Sequence, residues 1–326
     1  MKKTISILLV FLLAFLCASP VTAYAETDAE IIKITKQQMR EDAGYYMEQA
    51  LKYARDNATA KRIVKIYVPS GEYELGRTLH IYSNTSLILK TDTYLKKTFS
   101  DSNMLKCGVM DEVNTRYSGY QNMTVYGGIW DGDFQGNSCA MRFAHCKNVT
   151  IKKVEIRNIR NAHHLELAGA ANFTLAGCKF SGYQRTTSGD GTAVQIDVLH
   201  NAYHFPAYEK FDDTPCKNIT VRNCEFRNLY AGVGTRSGVI GSYFSNIKIL
   251  NNRFYNIKDK AIDCFNYVNS KITGNRVVSA AVGILFEYYP DSAVANKLYL
   301  PNDKNAEIKI RTNSKTVISD NTLVIQ

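Results

Sequence analysis

Asn122-Met-Thr-Val-Tyr-Gly-Gly-Ile-Trp130 sets a pattern that recurs along the chain. An Asn is followed three residues on by a β-branched or apolar residue, six on by a small or amide residue, and eight on by an apolar one. The pattern returns at Asn148, Asn172, Asn218, Asn246 and Asn269, and in weaker form at Lys315, with spacings of 26, 24, 46, 28, 23 and 46 residues. The position six after each start reads Gly128, Val154, Cys178, Cys224, Asn252, Asn275 and Asn321. Such a column is what stacked turns produce, and each Asn amide in it can bond both to backbone and to the next Asn. Each repeat also holds a second short alternating segment: Ala140-Met-Arg-Phe143, His164-Leu-Glu-Leu167, Ala193-Val-Gln-Ile196, Gly232-Val-Gly-Thr235, Ala261-Ile-Asp-Cys264 and Gly283-Ile-Leu-Phe286. With one such segment per repeat, the two 46-residue intervals are single coils carrying loops. The expected fold is all-β: a single-stranded right-handed parallel β-helix whose coils rise by about 4.8 Å each.

Outward from the repeat, the chain divides into three parts. Residues 1–25 read as an export signal, with Lys2 and Lys3 ahead of the apolar run Ile5 to Leu16 and a small-x-small site at Ala23-Tyr24-Ala25. Residues 26–62 hold Ala43, Met47, Ala50, Leu51 and Ala54 at helical spacing, which predicts a capping helix over about 42–60. Residues 63–326 form the β-helix. The reading is therefore of a secreted protein with no membrane segment after cleavage. At the other end Leu323-Val-Ile-Gln326 finishes on a strand without a cap, an edge through which a second chain can pair into an oligomer.

The net charge of +10 falls to +8 once Lys2 and Lys3 are removed. A basic surface suits an anionic polymer or a cell wall. The cations are scattered with no aromatic-basic stripe, which argues against nucleic acid. Seven cysteines beyond the signal include no C-x-x-C pair, which argues against a zinc site and favours buried thiols in the stacked core.

Stacking converts the repeat into a surface map. The first outward column of the short segments reads Arg142, Glu166, Gln195, Gly234, Asp263, Leu285, and the next reads Ala144, Ala168, Asp197, Arg236, Phe265, Glu287. Glu166 and Asp197 fall on neighbouring coils with a two-residue offset, so their β-carbons are expected roughly 8 Å apart. Carboxylates about 6.5–9.5 Å apart suit an inverting glycosidase, one as acid and one activating water. Arg236, one coil on, is placed to clamp an acidic sugar. Two excursions, about 199–216 and 288–312, leave the same side and are expected to wall a groove. His164, Gln195, His200, Asp213 and Asp263 are its expected substrate-binding residues. No cofactor is expected. Calcium is the metal that Glu166, Asp197 and Asp263 would suit, but these three are spread over four coils.

These coils resemble the pectin-lyase-like superfamily of right-handed β-helices over most of residues 60–326, and the middle coils resemble polygalacturonase-type glycoside hydrolases. Asp190-Gly-Thr-Ala-Val-Gln-Ile196 is similar to that family's D-D-C-x-x-I segment. Gly234-Thr-Arg-Ser-Gly-Val-Ile-Gly-Ser242 is similar to its G-G-H-G-x-x-I-G-S segment. The resemblance implies a secreted polysaccharide hydrolase with Asp190 as one family acid. The proton-donor Asp is Gly191 here, the family His is Arg236, and its R-I-K segment is replaced by Ala261-Ile-Asp263. The expected catalytic set is Asp197, Glu166, Asp190 and Arg236. A lyase using Arg236 as base, and a non-catalytic glycan-binding or adhesion solenoid, are the alternatives.

Overall fold

The computed structural model describes residues 28–324 except 101, 109–112, 188–190, 204, 206–209, 236–237, 240, 289–295, 301–309 and 312–314, with backbone alone for 296–300, 310–311 and 323–324. The export segment 1–25 lies outside the described residues.

The repeat winds into a right-handed parallel β-helix with three faces. The Asn-started strands build the first sheet, among them Gln121–Tyr126, Lys147–Lys152, Ala171–Ala176 and Lys217–Arg222. The strands after each column of Cys or Asn build the second, including Glu155–Arg160, Lys179–Gln184 and Glu225–Leu229. The short alternating segments build the third: Met141–Ala144, Leu165–Ala168, Thr192–Asp197 and Ala231–Gly234. In the later coils the second and third faces are joined by long strands, Arg253–Phe265 and Arg276–Tyr288. The slip in their pairing between Ile257 and Lys260 marks the corner.

Period-2 alternation sends one residue in two to the interior, where Val125, Ile151, Leu175 and Val221 stack at 0–1% exposure. At the head of the second sheet Phe180, Phe226 and Phe254 pile face to face, with ring centroids 4.9 and 4.7 Å apart. All seven described cysteines are buried thiols.

Two Asn ladders hold the corners. The repeat-starting asparagines adopt left-handed backbone (Asn122 φ 58°, Asn148 φ 57°, Asn172 φ 52°), a conformation Asn tolerates better than most residues. Each donates its amide to the Oδ1 of the Asn one coil earlier, at 2.8–3.0 Å from Asn122 through Asn246. The second ladder is the expected internal column. Asn252 Nδ2 donates to Asn275 Oδ1 (3.0 Å) and to the Val221 carbonyl (3.0 Å), and Asn275 Nδ2 donates to Asn321 Oδ1 (2.9 Å) and the Ile249 carbonyl (2.9 Å).

The N-terminal part is longer and does more than the periodicity predicts. Its helix runs Lys36–Asn57 from a Thr35–Gln38 capping box, with a break at Asp42, whose carboxylate caps the second segment through the Tyr45 N–H at 2.7 Å. Met39, Ala43, Met47, Leu51 and Ala54 close the end of the core. Ahead of the helix, Asp28–Lys33 pairs in parallel with Arg62–Val68, so the first sheet begins inside the expected leader of the solenoid.

The C-terminal expectations need correction. The 288–312 excursion does not simply wall a groove: Asn296–Leu300 returns antiparallel along Arg276–Tyr288 and covers that edge of the third sheet. Ile310–Arg311 likewise pairs antiparallel with Val317–Ser319 on the first sheet. Exposed edge N–H and C=O groups demand partners, and these returns supply them within the chain. In these two sheets the last coil is therefore paired by the chain's own returning strands, and Asn296–Leu300 and Ile310–Arg311 become the outer strands.

Candidate functional site

The third sheet sets the register of the candidate site. Arg142 pairs with Glu166, Glu166 with Gln195, Gln195 with Gly234, Gly234 with Asp263, and Asp263 with Leu285. Asp197 pairs with Ala168, two residues along. Upstream the column extends through Lys106 and His80. Glu166, Gln195, Asp197 and Asp263 therefore share one wall, with the expected offset.

That wall is closed rather than open. The 199–216 excursion folds back over it and packs Leu199 and Phe205, both 0% exposed, onto Ala144 and Ala168. The loop is pinned by Asp213 N–H to the Leu199 carbonyl (3.2 Å), Tyr117 OH to the Pro215 carbonyl (2.7 Å), and Arg116 N–H to Asp212 Oδ2 (2.7 Å). His145 sits between the Arg116 and Lys210 carbonyls, at 2.7 and 3.1 Å. Two alanines in an outward column are the sequence signal for this lid, because small side chains there leave room for an aromatic ring.

Under the lid the charges are matched. Arg142 Nε pairs with Glu166 Oε2, both side chains nearly buried, and the Arg142 guanidinium lies 5.7 Å from the Phe205 ring centroid. The Cys139 thiol donates to the same Glu166 oxygen at 3.3 Å. Burial and the Glu166 charge push that thiol up to about 12. Gln195 Nε2 donates to both oxygens of Asp197 at 3.0 Å, while its own Oε1 has no hydrogen-bond partner among the described residues. Glu166 and Asp197 are each 3% exposed. Asp263 is held by Lys260 at 2.7 Å. Lys106, one coil before Arg142, is depressed by burial and by the Arg142 charge. The sequence reading places Arg142 in the outward column and Phe205 on the loop, as a groove wall rather than a cover, and gives no site role to Cys139 or Lys106.

Three expected groove residues lie elsewhere. His164 points into the core at 0% exposure, because its ring stands edge-on to Phe180 (6.2 Å) and its Nε2 reaches the Ser181 carbonyl (3.1 Å). Burial pulls its pKa down to about 4, so the ring is neutral. His200 and Asp213 pair with each other at 2.5 Å with their side chains about half exposed, so they face solvent on the loop. Asp190 and Arg236 lie outside the described residues. Gly191, which stands where the resembling hydrolases carry their proton donor, lies against the end of the Tyr183 ring: a β-carbon there would be 2.0 Å from Tyr183 Cζ unless that ring moved aside. Among the described residues no three His, Cys, Asp or Glu side chains gather as a metal site.

Comparison with known proteins supports the architecture. The family described as "Right handed beta helix region" matches residues 120–324. The plasmin and fibronectin-binding protein A of Streptococcus pneumoniae is 27% identical over 198 residues, 57% of this chain and 27% of that protein. The chain thus spans about a quarter of the length of that curated relative. The crystal structure of PfbA, a surface adhesin of Streptococcus pneumoniae, superposes with a TM-score of 0.65 at 20% identity, covering 76% of this chain and 64% of that one. The polygalacturonase from Erwinia carotovora gives a TM-score of 0.53 at 14% identity, covering 79% and 71%. At these identities the two structures testify to the fold alone.

Proposed function

We propose that this chain, which belongs to the right-handed β-helix family, is an exported, surface or extracellular binding solenoid of the adhesin kind rather than a polysaccharide-cleaving enzyme. The observation that carries the reading is the closure of the paired carboxylates. A general acid and a water-activating base must touch substrate. Glu166 is neutralised by Arg142, whose guanidinium lies against the Phe205 ring, Asp197 is held by Gln195, and both carboxylates are 3% exposed. The relative named for binding plasmin and fibronectin supports an adhesive role over a catalytic one. An export signal at residues 1–25 fits that location, and no helix among the described residues is long and apolar enough to cross a membrane.

The deciding assay incubates the purified protein with plant, algal and bacterial polysaccharides, measuring binding, reducing-end release and ultraviolet-absorbing unsaturated products side by side. Binding without either product is expected. Reducing-end release that disappears in Asp197→Asn, with folding intact, would restore the hydrolase reading. Unsaturated products would establish a lyase.

A further inference from the structure

The three faces of the solenoid carry their charges differently. On the second face cations and acids are interspersed: Lys96 pairs with Asp133 (3.2 Å), Arg157 with Asp131 (2.9 Å) and Arg227 with Glu225 (3.3 Å), while Lys179, Arg253 and Arg276 form no ion pair among the described residues. On the third, Arg142 pairs with Glu166 and Lys260 with Asp263. On the first face Arg62 pairs with Glu30 at 3.6 Å at the N-terminal end, and no other main-strand cation forms an ion pair among the described residues. From Arg62 to Ser319 its main strands contain no Asp or Glu at all, while carrying Lys65, Lys147, Lys152, Arg222, Lys248 and Lys271. None of these six forms an ion pair among the described residues.

The register shows how that face is laid out. One outward column reads Lys65, Ser86, Thr124, Thr150, Thr174, Thr220, Lys248, Lys271. Four threonines thus stand in a row, one per coil at about 4.8 Å, partly exposed and with no hydrogen bond from their hydroxyls among the described residues. The neighbouring column begins Tyr67, Ile88, Tyr126, Lys152. At that end the surface deepens into a groove of about 510 Å³ lined by Tyr67, Ile88 and Tyr126 with Lys33 and Lys90. Tyr67 is 36% exposed, and the Lys153 ammonium lies 5.9 Å from the Tyr126 ring centroid.

We propose that this face is the docking surface for a linear acidic glycan, with the Tyr67–Tyr126 groove seating one end. The proposal rests on the binding reading above and names its ligand class and its site. Tyrosine faces stack on sugar rings, the open threonine hydroxyls pair with sugar hydroxyls, and the unpaired lysines meet carboxylates or sulfates. Complementary charge steers such a polymer toward this side, because its strands from Arg62 to Ser319 carry cations without acids, whereas the other faces intersperse the two. Single-stranded nucleic acid is the poorer fit, since it asks for an aromatic platform under successive bases and the middle of this face offers hydroxyls.

The test measures binding of the full chain to heparin and to polygalacturonate, with dextran as neutral control and single-stranded DNA as competing polyanion. Three proteins are compared: wild type, the face variant K152Q/R222Q/K248Q, and the charge-matched variant K179Q/R253Q/R276Q on the second face. Heparin or polygalacturonate binding by wild type is expected to weaken about tenfold in the face variant, from about half a kcal/mol per exposed charge, and to stay within about twofold in the charge-matched variant. Y67A/Y126A, which alters no charge, is expected to lose affinity while keeping the salt dependence. Equal losses in the two triple variants overturn the site, as would tighter binding of DNA than of either acidic glycan. Absence of acidic-glycan binding alongside retained binding of fibronectin or plasmin overturns the inference and leaves the adhesive reading standing. Cleavage of the glycan overturns the adhesive reading itself.

Discussion

His164 illustrates how one buried side chain sets a pH response. Its folded pKa is near 4, against about 6.5 for an unperturbed imidazole, because the ring is stripped of water against Phe180. Between those values the unfolded chain binds a proton that the folded chain refuses. Stability is therefore full above pH 6.5 and declines as pH falls toward 4, by about 3 kcal/mol over the window. Urea unfolding of wild type and His164→Gln at pH 7 and pH 4.5 checks this: the variant should lose much of the difference. A further loss, common to both proteins, sets in only below about pH 4, where Asp131 takes up its proton. Burial alone would raise its carboxyl, but the Asp133 N–H, the Asn158 amide, Tyr94 and Arg157 hold it below the usual range. Phe205 offers a second test. Replacing it by Ala removes a ring at 0% exposure and is expected to cost about 3 kcal/mol. Hydrogen exchange across 199–216 should quicken first, while Leu165–Ala168 beneath keeps its protection.

In the turns, stability depends on amide ladders. Asn275 accepts from the Asn252 backbone N–H and side chain, both at 3.0 Å, and donates to the Ile249 carbonyl and to Asn321. Truncation to Ala strands the Asn252 N–H and the Ile249 carbonyl in the core, at about 1–3 kcal/mol per unsatisfied group. Asn275→Ala should lower the urea midpoint with a loss of about 3 kcal/mol. Asn275→Cys should lose less, because the earlier coils already use a thiol there, with Cys178 N–H meeting Cys224 Sγ at 3.4 Å. The capping helix works on the same rule. Its Glu48 carboxylate takes the His80 N–H at 2.9 Å and meets the His80 ring at 3.0 Å, satisfying the first strand of the third sheet where no coil precedes it. Glu48→Ala should lower Tm and speed exchange at Leu79–Ile81 in preference to later strands.

Across the molecule, each coil contacts its neighbours and the ends carry the burden of closure. The helix Lys36–Asn57 covers one end of the core and the antiparallel returns cover two sheet edges at the other. Removing residues 28–57 uncovers Val64, Ile66 and the open edges of the first coil. Light scattering after size exclusion should then show multimers in place of the wild-type species. Charge is also organised at this scale: the second and third faces mix acids with cations, whereas the first face from Arg62 to Ser319 carries cations without acids in its strands. Binding that relies on that cationic face weakens with added salt, as the Debye length shrinks to about 3 Å at 1 M.

The chain's own letters were enough to give the coil, the internal ladder through Asn252, Asn275 and Asn321, and the column order through Arg142, Glu166, Gln195 and Asp263. These follow from a local period, and a period is written one residue after another. Whether Glu166 and Asp197 meet solvent was not written there. It depends on where the 199–216 loop lands, which Ala144, Ala168 and His145 decide from coils far away in sequence. His164 shares its alternation with Glu166 yet turns inward, because the corner leaves a space beside Phe180 that the repeat pattern does not encode. Residue order determined the scaffold; packing between distant segments determined which of its charged groups are covered and which are left to bind.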